Sequence, residues 1–298
     1  MKVLSLFDGI SCGMVALERA GIPVERYVAY EIEPNAIKIS RQNYPQIEHC
    51  GDVMKADFTQ YQGFDLLIGG SPCTNWSCAK NYRAKEKKEL FINEGMGWEL
   101  FKQYARAKEE AKPTYFLYEN NYRISPNIVE AISAILGVEP IMINSALVSA
   151  QNRKRLYWTN IPNVQQPKDK GLVLRDIYIH DEALVRRDER ILKHAVKTGN
   201  YIKYDLTGKG HYSQQDRLYT LDSKSPTIAR CRTETKTNML IDPSDWAKYK
   251  IISPVEAERL QTLPDNYTAG IPKTRRFEAI GNGWTVDVIA HILGYIPR

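Results

Sequence analysis

The chain of 298 residues has little cysteine and no cysteine pair. Cys12, Cys50, Cys73, Cys78 and Cys231 are odd in number and scattered, with no C-x-x-C. That spacing fits neither a disulfide framework nor a zinc site, and suits thiols of a reducing compartment. Long apolar runs are also missing. None approaches the ~20 residues that span a bilayer. "MKVLSLFDGISCG" begins like a leader, but Asp8 interrupts its apolar run too early, so it reads as a buried first strand. Internal repeats and low-complexity segments are absent as well. These absences point to a cytoplasmic protein with no membrane span and no metal. With 43% apolar and 26% charged residues the chain has the balance of a soluble globular protein. Its length allows one large domain, or a large and a small one.

Charge is present, but unevenly. The net charge is +6, and residues 186–236 alone hold 12 Lys/Arg against 6 Asp/Glu. The remainder is therefore neutral overall. A second basic cluster, Lys80, Arg83, Lys85, Lys87 and Lys88, follows Thr74. Two localised basic regions suit an anionic polymer, although a solvated surface would also carry such charge.

The first 160 or so residues alternate apolar runs with helical spacing. "KVLSLFD", "RYVAYE", "FDLLIGG" and "TYFLYEN" read as strands. "GMVALERAG", "PNAIKISRQNYP" and "NIVEAISAILGV" read as helices, the second opening on proline. "IMINSALVSA" and "RLYWTNI" form a closing strand pair. The pattern predicts an α/β fold with a doubly wound, mostly parallel sheet. After Pro162 the periodicity fails, and residues 163–252 read as a small irregular region. Ser253, Pro254 and Glu256 then form a capping box that starts a helix. The expected division is a first domain from 1–162 and 253–298, interrupted by 163–252.

Ligands of such sheets bind outside the carboxyl ends of the strands. Strand one ends in Asp8-Gly9-Ile10-Ser11-Cys12-Gly13, whose glycines let backbone approach a ligand without completing a dinucleotide fingerprint. Strand two ends in Glu31, suited to ribose hydroxyls, and strand three near Asp52, suited to an adenine amino group. Singly, each acid is more often a cap or a surface charge. Three at successive strand ends imply a nucleoside cofactor. Strand four ends in Pro72-Cys73 and strand five in Glu119-Asn120-Asn121, a thiol and a carboxyl at neighbouring tips. In "SAQNRKRLYW", Arg153 and Arg155 alternate with Lys154, so both are expected on one strand face.

These residues resemble the DNA cytosine-5 methyltransferases, in order and over nearly the whole chain. "FDGISCG" resembles the first cofactor motif, "AYEIE" and "GDV" the ribose and adenine motifs, and "GGSPC" the nucleophile motif. "YEN", "QNRKR" and "IGNGWTVDVI" resemble the glutamate, arginine and last cofactor motifs, and "SPTIAR" a segment beside the recognition region. The likeness is greatest to de novo-type catalytic domains and their bacterial or phage relatives. Thr74, Asn121 and Gly283-Trp284 depart from the family pattern.

The resemblance implies a Rossmann-like fold that uses S-adenosyl-L-methionine, held by Phe7, Asp8, Gly9, Ile10, Gly13, Glu31, Ile32, Asp52, Val53, Pro72, Asn282 and Trp284. It implies methyl transfer to carbon 5 of a cytosine flipped out of double-stranded DNA. Cys73 would add to ring carbon 6 as thiolate. Glu119, protonated when it donates, would hold ring nitrogen 3, and Arg155 with Arg153 the oxygen at position 2. DNA contacts are expected from Ser71, Lys80, Arg83, Arg230, Arg232, Thr233, Thr235 and Asn238, the later ones in a target-recognition region spanning 163–252. The expected protein is a monomer in the cytoplasm of a bacterium or a phage host, at the nucleoid through DNA.

Three rivals remain at this point. An RNA cytosine-5 methyltransferase of the same fold would use the same cysteine and glutamate. A nucleotide-dependent oxidoreductase accounts for the glycines and Glu31 but leaves Cys73, Glu119 and Arg155 idle. A non-catalytic DNA-binding accessory protein would not need Cys73.

Overall fold

The computed structural model describes residues 1–72, 95–199, 201–204, 217–228 and 237–297. The chain divides into two compact units, 1–143 with 154–166 and 289–298, and 144–153 with 167–288.

The first unit carries seven strands: β1 (Lys2–Leu6), β2 (Arg26–Tyr30), β3 (Glu48–His49), β4 (Leu66–Gly69), β5 (Tyr115–Asn121), β6 (Ile141–Asn144) and β7 (Lys154–Thr159). Their order is β3-β2-β1-β4-β5-β7-β6. The first five run parallel, and β7 runs antiparallel to β5. The α/β class and the largely parallel sheet expected from sequence are what the structure has. The chain winds away from β1 in both directions, so a switch point lies between β1 and β4.

Helices join these strands where the sequence supplies ends for them. Helix Pro34–Asn43 opens on proline, and the Glu33 side chain accepts from the Ala36 amide. Helix Pro126–Leu136 stops at Gly137, in the left-handed region at φ 76°. Helix Met96–Ala111 buries Trp98, Phe101, Tyr104, Ala107 and Ala111, three or four residues apart, so one face meets the sheet. Its rings join those of β5 and β7: Tyr118 stands 4.7 Å from Tyr104, 5.3 Å from Phe101 and 5.7 Å from Trp158. Gly69 closes β4 because no larger residue fits. A Cβ there would lie 2.8 Å from the Leu6 carbonyl oxygen and 3.1 Å from the Tyr104 ring.

The second unit is not irregular, as its sequence suggested. Strands β8 (Val185–Arg187), β9 (Val196–Thr198), β10 (Tyr201–Lys203), β11 (Arg217–Thr220), β12 (Asn238–Leu240) and β13 (Lys248–Ile251) form a sheet in the order β8-β13-β12-β11-β10-β9. Each strand has three or four residues, too few for alternation to stand out. The capping box at Ser253 is formed as expected, on helix Pro254–Leu260. Residues 253–288 nevertheless belong to the second unit. A cap marks where a helix starts and says nothing about which core the helix packs on. One tie is a fully buried ion pair, Lys250 Nζ to Glu256 Oε2 at 2.6 Å. The same carboxylate takes the Ser253 and Ile179 amides, so its charge is not left bare.

Candidate active site

Register brings the candidate residues of the first unit to one sheet edge. Leu6 pairs with Tyr30 and with Gly69, and Gly69 with Tyr118. The residues that follow, Phe7, Glu31, Gly70 and Glu119, therefore stand at one level, and only β5 runs on past it, to Asn121 against β7. Antiparallel β7 returns Arg155 there, opposite Asn121.

The β1 loop is wound tightly. Phe7, Gly9 and Ser11 all lie in the left-handed region, at φ 57°, 59° and 59°. Such backbone costs about 1–3 kcal/mol at a non-glycine residue and persists only where neighbours over-determine it. Here they do. The Asp8 amide bonds the Tyr30 carbonyl and the Gly9 amide bonds Glu31 Oε2 at 2.8 Å. Asp8 was expected to face the cofactor, and its side chain points inward instead. Its carboxylate takes hydroxyls from Ser5 at 2.6 Å, Tyr27 at 2.7 Å and Ser11 at 2.5 Å. Burial pushes the Asp8 carboxyl above its ordinary value, while the Ser11, Ser5 and Tyr27 hydroxyls pull it back.

Glu31 Oε1 takes the amides of Ile32 and Glu33, both at 2.8 Å. With Gly9 that makes three donors, and a carboxylate has about four acceptor sites, so one remains for a ligand hydroxyl. Ile32 stands 70% exposed beside it, and Met54 48% exposed. Asp52 accepts the Met54 amide at 2.9 Å through one oxygen, and the other has no partner among the described residues. Val53 is buried in the hydrophobic core. Gly9 has open space where a side chain would stand. Ile10 and Gly13 complete the turn into helix Cys12–Arg19 and are buried.

The other half of the edge holds polar groups over the aromatic core. Arg155 Nε lies 3.0 Å from Glu119 Oε1, each side chain about seven-eighths buried, at 14% and 13% exposure. Ser71 was expected to touch DNA. It is instead buried, with Oγ 2.6 Å from the Tyr118 hydroxyl. Asn120 Nδ2 donates to that same hydroxyl at 3.0 Å and to the Ser71 carbonyl at 3.4 Å. Pro72 is exposed at the end of this segment. Cys73, Thr74, Lys80, Arg83, Arg230, Arg232, Thr233 and Thr235 lie outside the described residues.

The C-5 cytosine-specific DNA methylase family matches residues 1–298. The chain belongs to that family. An orphan methyltransferase of Bacillus phage rho11s is 28% identical over 264 residues, 84% of this chain and 49% of that protein. This chain thus spans about half the length of that relative. A type II methyltransferase of Lactococcus lactis subsp. cremoris is 26% identical over 316 residues, 97% of this chain and 76% of that protein. Among solved structures, the S. pombe Dnmt2 methyltransferase superposes with a TM-score of 0.72 at 16% identity, covering 99% of this chain and 97% of that one. At that identity the likeness is one of fold.

The second unit holds the remaining residues of this family member's motifs. β7 begins at Lys154, so strand alternation does not place Arg153 beside Arg155. Arg153 is buried and donates to the carbonyls of Ile228 at 2.9 Å, Gly283 at 3.0 Å and Gly281 at 3.2 Å. Gln151 adds a bond from its Nε2 to the Leu260 carbonyl and accepts from the Ile228 amide. Gln151, Arg153, Ile228, Gly281 and Gly283, from three of the quoted motifs, are therefore held to one another, and Arg153 spends three hydrogen bonds on backbone carbonyls. Asn282 ends helix Lys273–Asn282 and is exposed, and Trp284 follows, half-buried. Asn238 stands in β12 and donates to the Tyr204 hydroxyl at 3.2 Å.

Sequence reasoning missed Tyr118 and Asn120 as holders of Ser71. Both stand inside the quoted "YEN". Their role depends on a strand-to-strand contact that no spacing along the chain reveals.

Proposed function

We propose that the chain is a DNA cytosine-5 methyltransferase that uses S-adenosyl-L-methionine. The observation that carries the reading is the Glu119–Arg155 pair, at the same sheet edge as the strand end leading to Pro72-Cys73. A carboxyl and a guanidinium held together suit the polar edge of a cytosine ring. One offers hydrogen bonds to nitrogen 3 and the amino group, the other to the oxygen at position 2.

The residues at the β1, β2 and β3 ends fit the cofactor. Glu31 keeps one acceptor site for a ribose hydroxyl, Asp52 one oxygen for an amino group, and exposed Ile32 an apolar face for adenine. When bound, the cofactor supplies an electrophilic methyl group for carbon 5. The chain does the rest. The cytosine leaves the duplex, at a cost of a few kcal/mol. The Cys73 thiolate adds its electron pair to carbon 6, making carbon 5 electron-rich, and Glu119 supplies the proton for nitrogen 3. Loss of the carbon 5 proton to a base then re-forms the ring double bond as the bond to Cys73 breaks, and nitrogen 3 returns its proton to Glu119. The second unit, with its basic stretch at 186–236, serves as the recognition region.

A double-stranded DNA containing 5-fluorocytosine tests this. Fluorine at carbon 5 cannot leave as a proton does, so the adduct on Cys73 should persist with cofactor present and resist denaturation. Cys73→Ala should form none. Trapping on the matching RNA and not on DNA would favour the RNA reading, and no adduct on either would remove the mechanism.

A further inference from the structure

Behind the β1 loop a line of buried polar groups leads away from the edge, and none of its outer members belongs to a cofactor motif. Ser11 Oγ, already bonded to Asp8, lies 2.6 Å from Ser40 Oγ in helix Pro34–Asn43. Ser40 Oγ lies 3.0 Å from His49 Nε2 in β3. Ser11 and Ser40 are fully buried. His49 Nδ1 is buried with no partner among the described residues.

Ser5 and Tyr27 donate to the Asp8 carboxylate, and the single Ser11 proton is shared between two acceptors, Asp8 and Ser40. Ser40 Oγ and His49 Nε2 are within hydrogen-bond reach, the donor being set by the imidazole tautomer. Burial first and the Arg41 charge second hold His49 below its ordinary value, against a smaller upward pull from Glu31. Its neutral form thus prevails at a pH of about 7.

Ser11 needs such an anchor. It sits at the N-terminal end of helix Cys12–Arg19 in the left-handed region, and its side chain caps nothing. A serine there gains no helix bond to offset its backbone cost. Its hydroxyl is spent on Asp8 and Ser40.

We infer that Ser40 and His49 are positioning residues that hold the Phe7–Gly13 loop in its ligand-binding conformation through Ser11 and Asp8. The inference rests on reading that loop as the S-adenosylmethionine site. Neither residue lies in the loop itself: Ser40 stands in helix Pro34–Asn43 and His49 in β3.

The test measures S-adenosylmethionine affinity by calorimetry and, in the free protein, amide hydrogen exchange at Gly9 and Ser11. Ser40→Ala and His49→Leu should each weaken cofactor binding about fivefold, the worth of one hydrogen bond. DNA affinity should stay at the parental value. Exchange at both amides should accelerate. Ser40→Thr and His49→Gln, which keep the hydroxyl and a side-chain N–H, should restore both readouts in part. Ile39→Val, on the same helix with a fully buried side chain, controls for general loosening and should move neither. Parental affinity and exchange in Ser40→Ala and His49→Leu would overturn the inference. So would an equal effect from Ile39→Val. If the parent binds no S-adenosylmethionine, the functional reading fails, and the exchange arm still decides whether the anchor holds the loop.

Discussion

Arg155 reaches Glu119 on the diagonal between two antiparallel strands. Its own opposite number is Asn121, and Glu119 faces Tyr157. Diagonal neighbours share a face, within reach of a long side chain, and Nε–Oε1 closes to 3.0 Å. The pair thus comes from strand register, and each partner orients the other.

Removing the guanidinium should therefore cost more than a surface charge would. Arg155→Ala should lower kcat/KM about 10- to 100-fold, the value of a charge-assisted hydrogen bond. Arg155→Lys should recover only part of it, because an ammonium lacks the fork. Steady-state methylation kinetics of the two variants checks this, and an unchanged rate in Arg155→Ala would detach the pair from the chemistry.

Tyr118→Phe should slow turnover while leaving the fold intact. The ring keeps its place among Phe101, Tyr104 and Trp158, but Ser71 and Asn120 lose their shared hydroxyl. The residues just before Cys73 are then less fixed. We expect kcat to fall several-fold, about 1–2 kcal/mol for the groups left unpaired, with KM for cofactor unchanged. Single-turnover rates separate this from a binding defect.

The buried pair in the second unit governs stability. Glu256→Leu strands the Lys250 ammonium and leaves the Ser253 and Ile179 amides without their acceptor, so about 3–5 kcal/mol should be lost. Lys250→Met leaves Glu256 with the Ser253 and Ile179 amides still donating, and should cost less. Denaturant unfolding of both variants would reverse the idea if Lys250→Met proved the worse.

Not all of the basic stretch is available to a polyanion. Arg187 is paired with Asp245 and Glu189, and Arg190 with Asp188. Among the described residues Lys193 and Lys197 are exposed and in no ion pair. DNA affinity should fall with salt with a log–log slope between about −3 and −8. Lys193→Ala or Lys197→Ala should flatten it by about one unit if that lysine neutralises a phosphate. A salt titration that is flat for the parent would make the excess a solvated face.

What the sequence made legible follows the range of its signals. Strand ends marked by Glu31, Pro72 and Glu119 could be read because apolar runs stop there, and parallel register does the rest. Helix Met96–Ala111 went unread although Trp98, Phe101 and Tyr104 stand three apart. The six-stranded sheet was hidden by strands of three and four residues. Arg153 and Arg155 look equivalent in sequence only if alternation begins before Lys154, and it does not. The inward turn of Asp8 and the burial of Ser71 depend on Tyr27 and Tyr118, hydroxyls brought up by tertiary packing, which local spacing does not encode.

The central claim is tested most directly by bisulfite sequencing of DNA incubated with the protein and S-adenosylmethionine. The account expects protected cytosines in one recurring sequence context, and none when Cys73→Ala replaces the parent. Full conversion of every cytosine, or protection that survives Cys73→Ala, would contradict it.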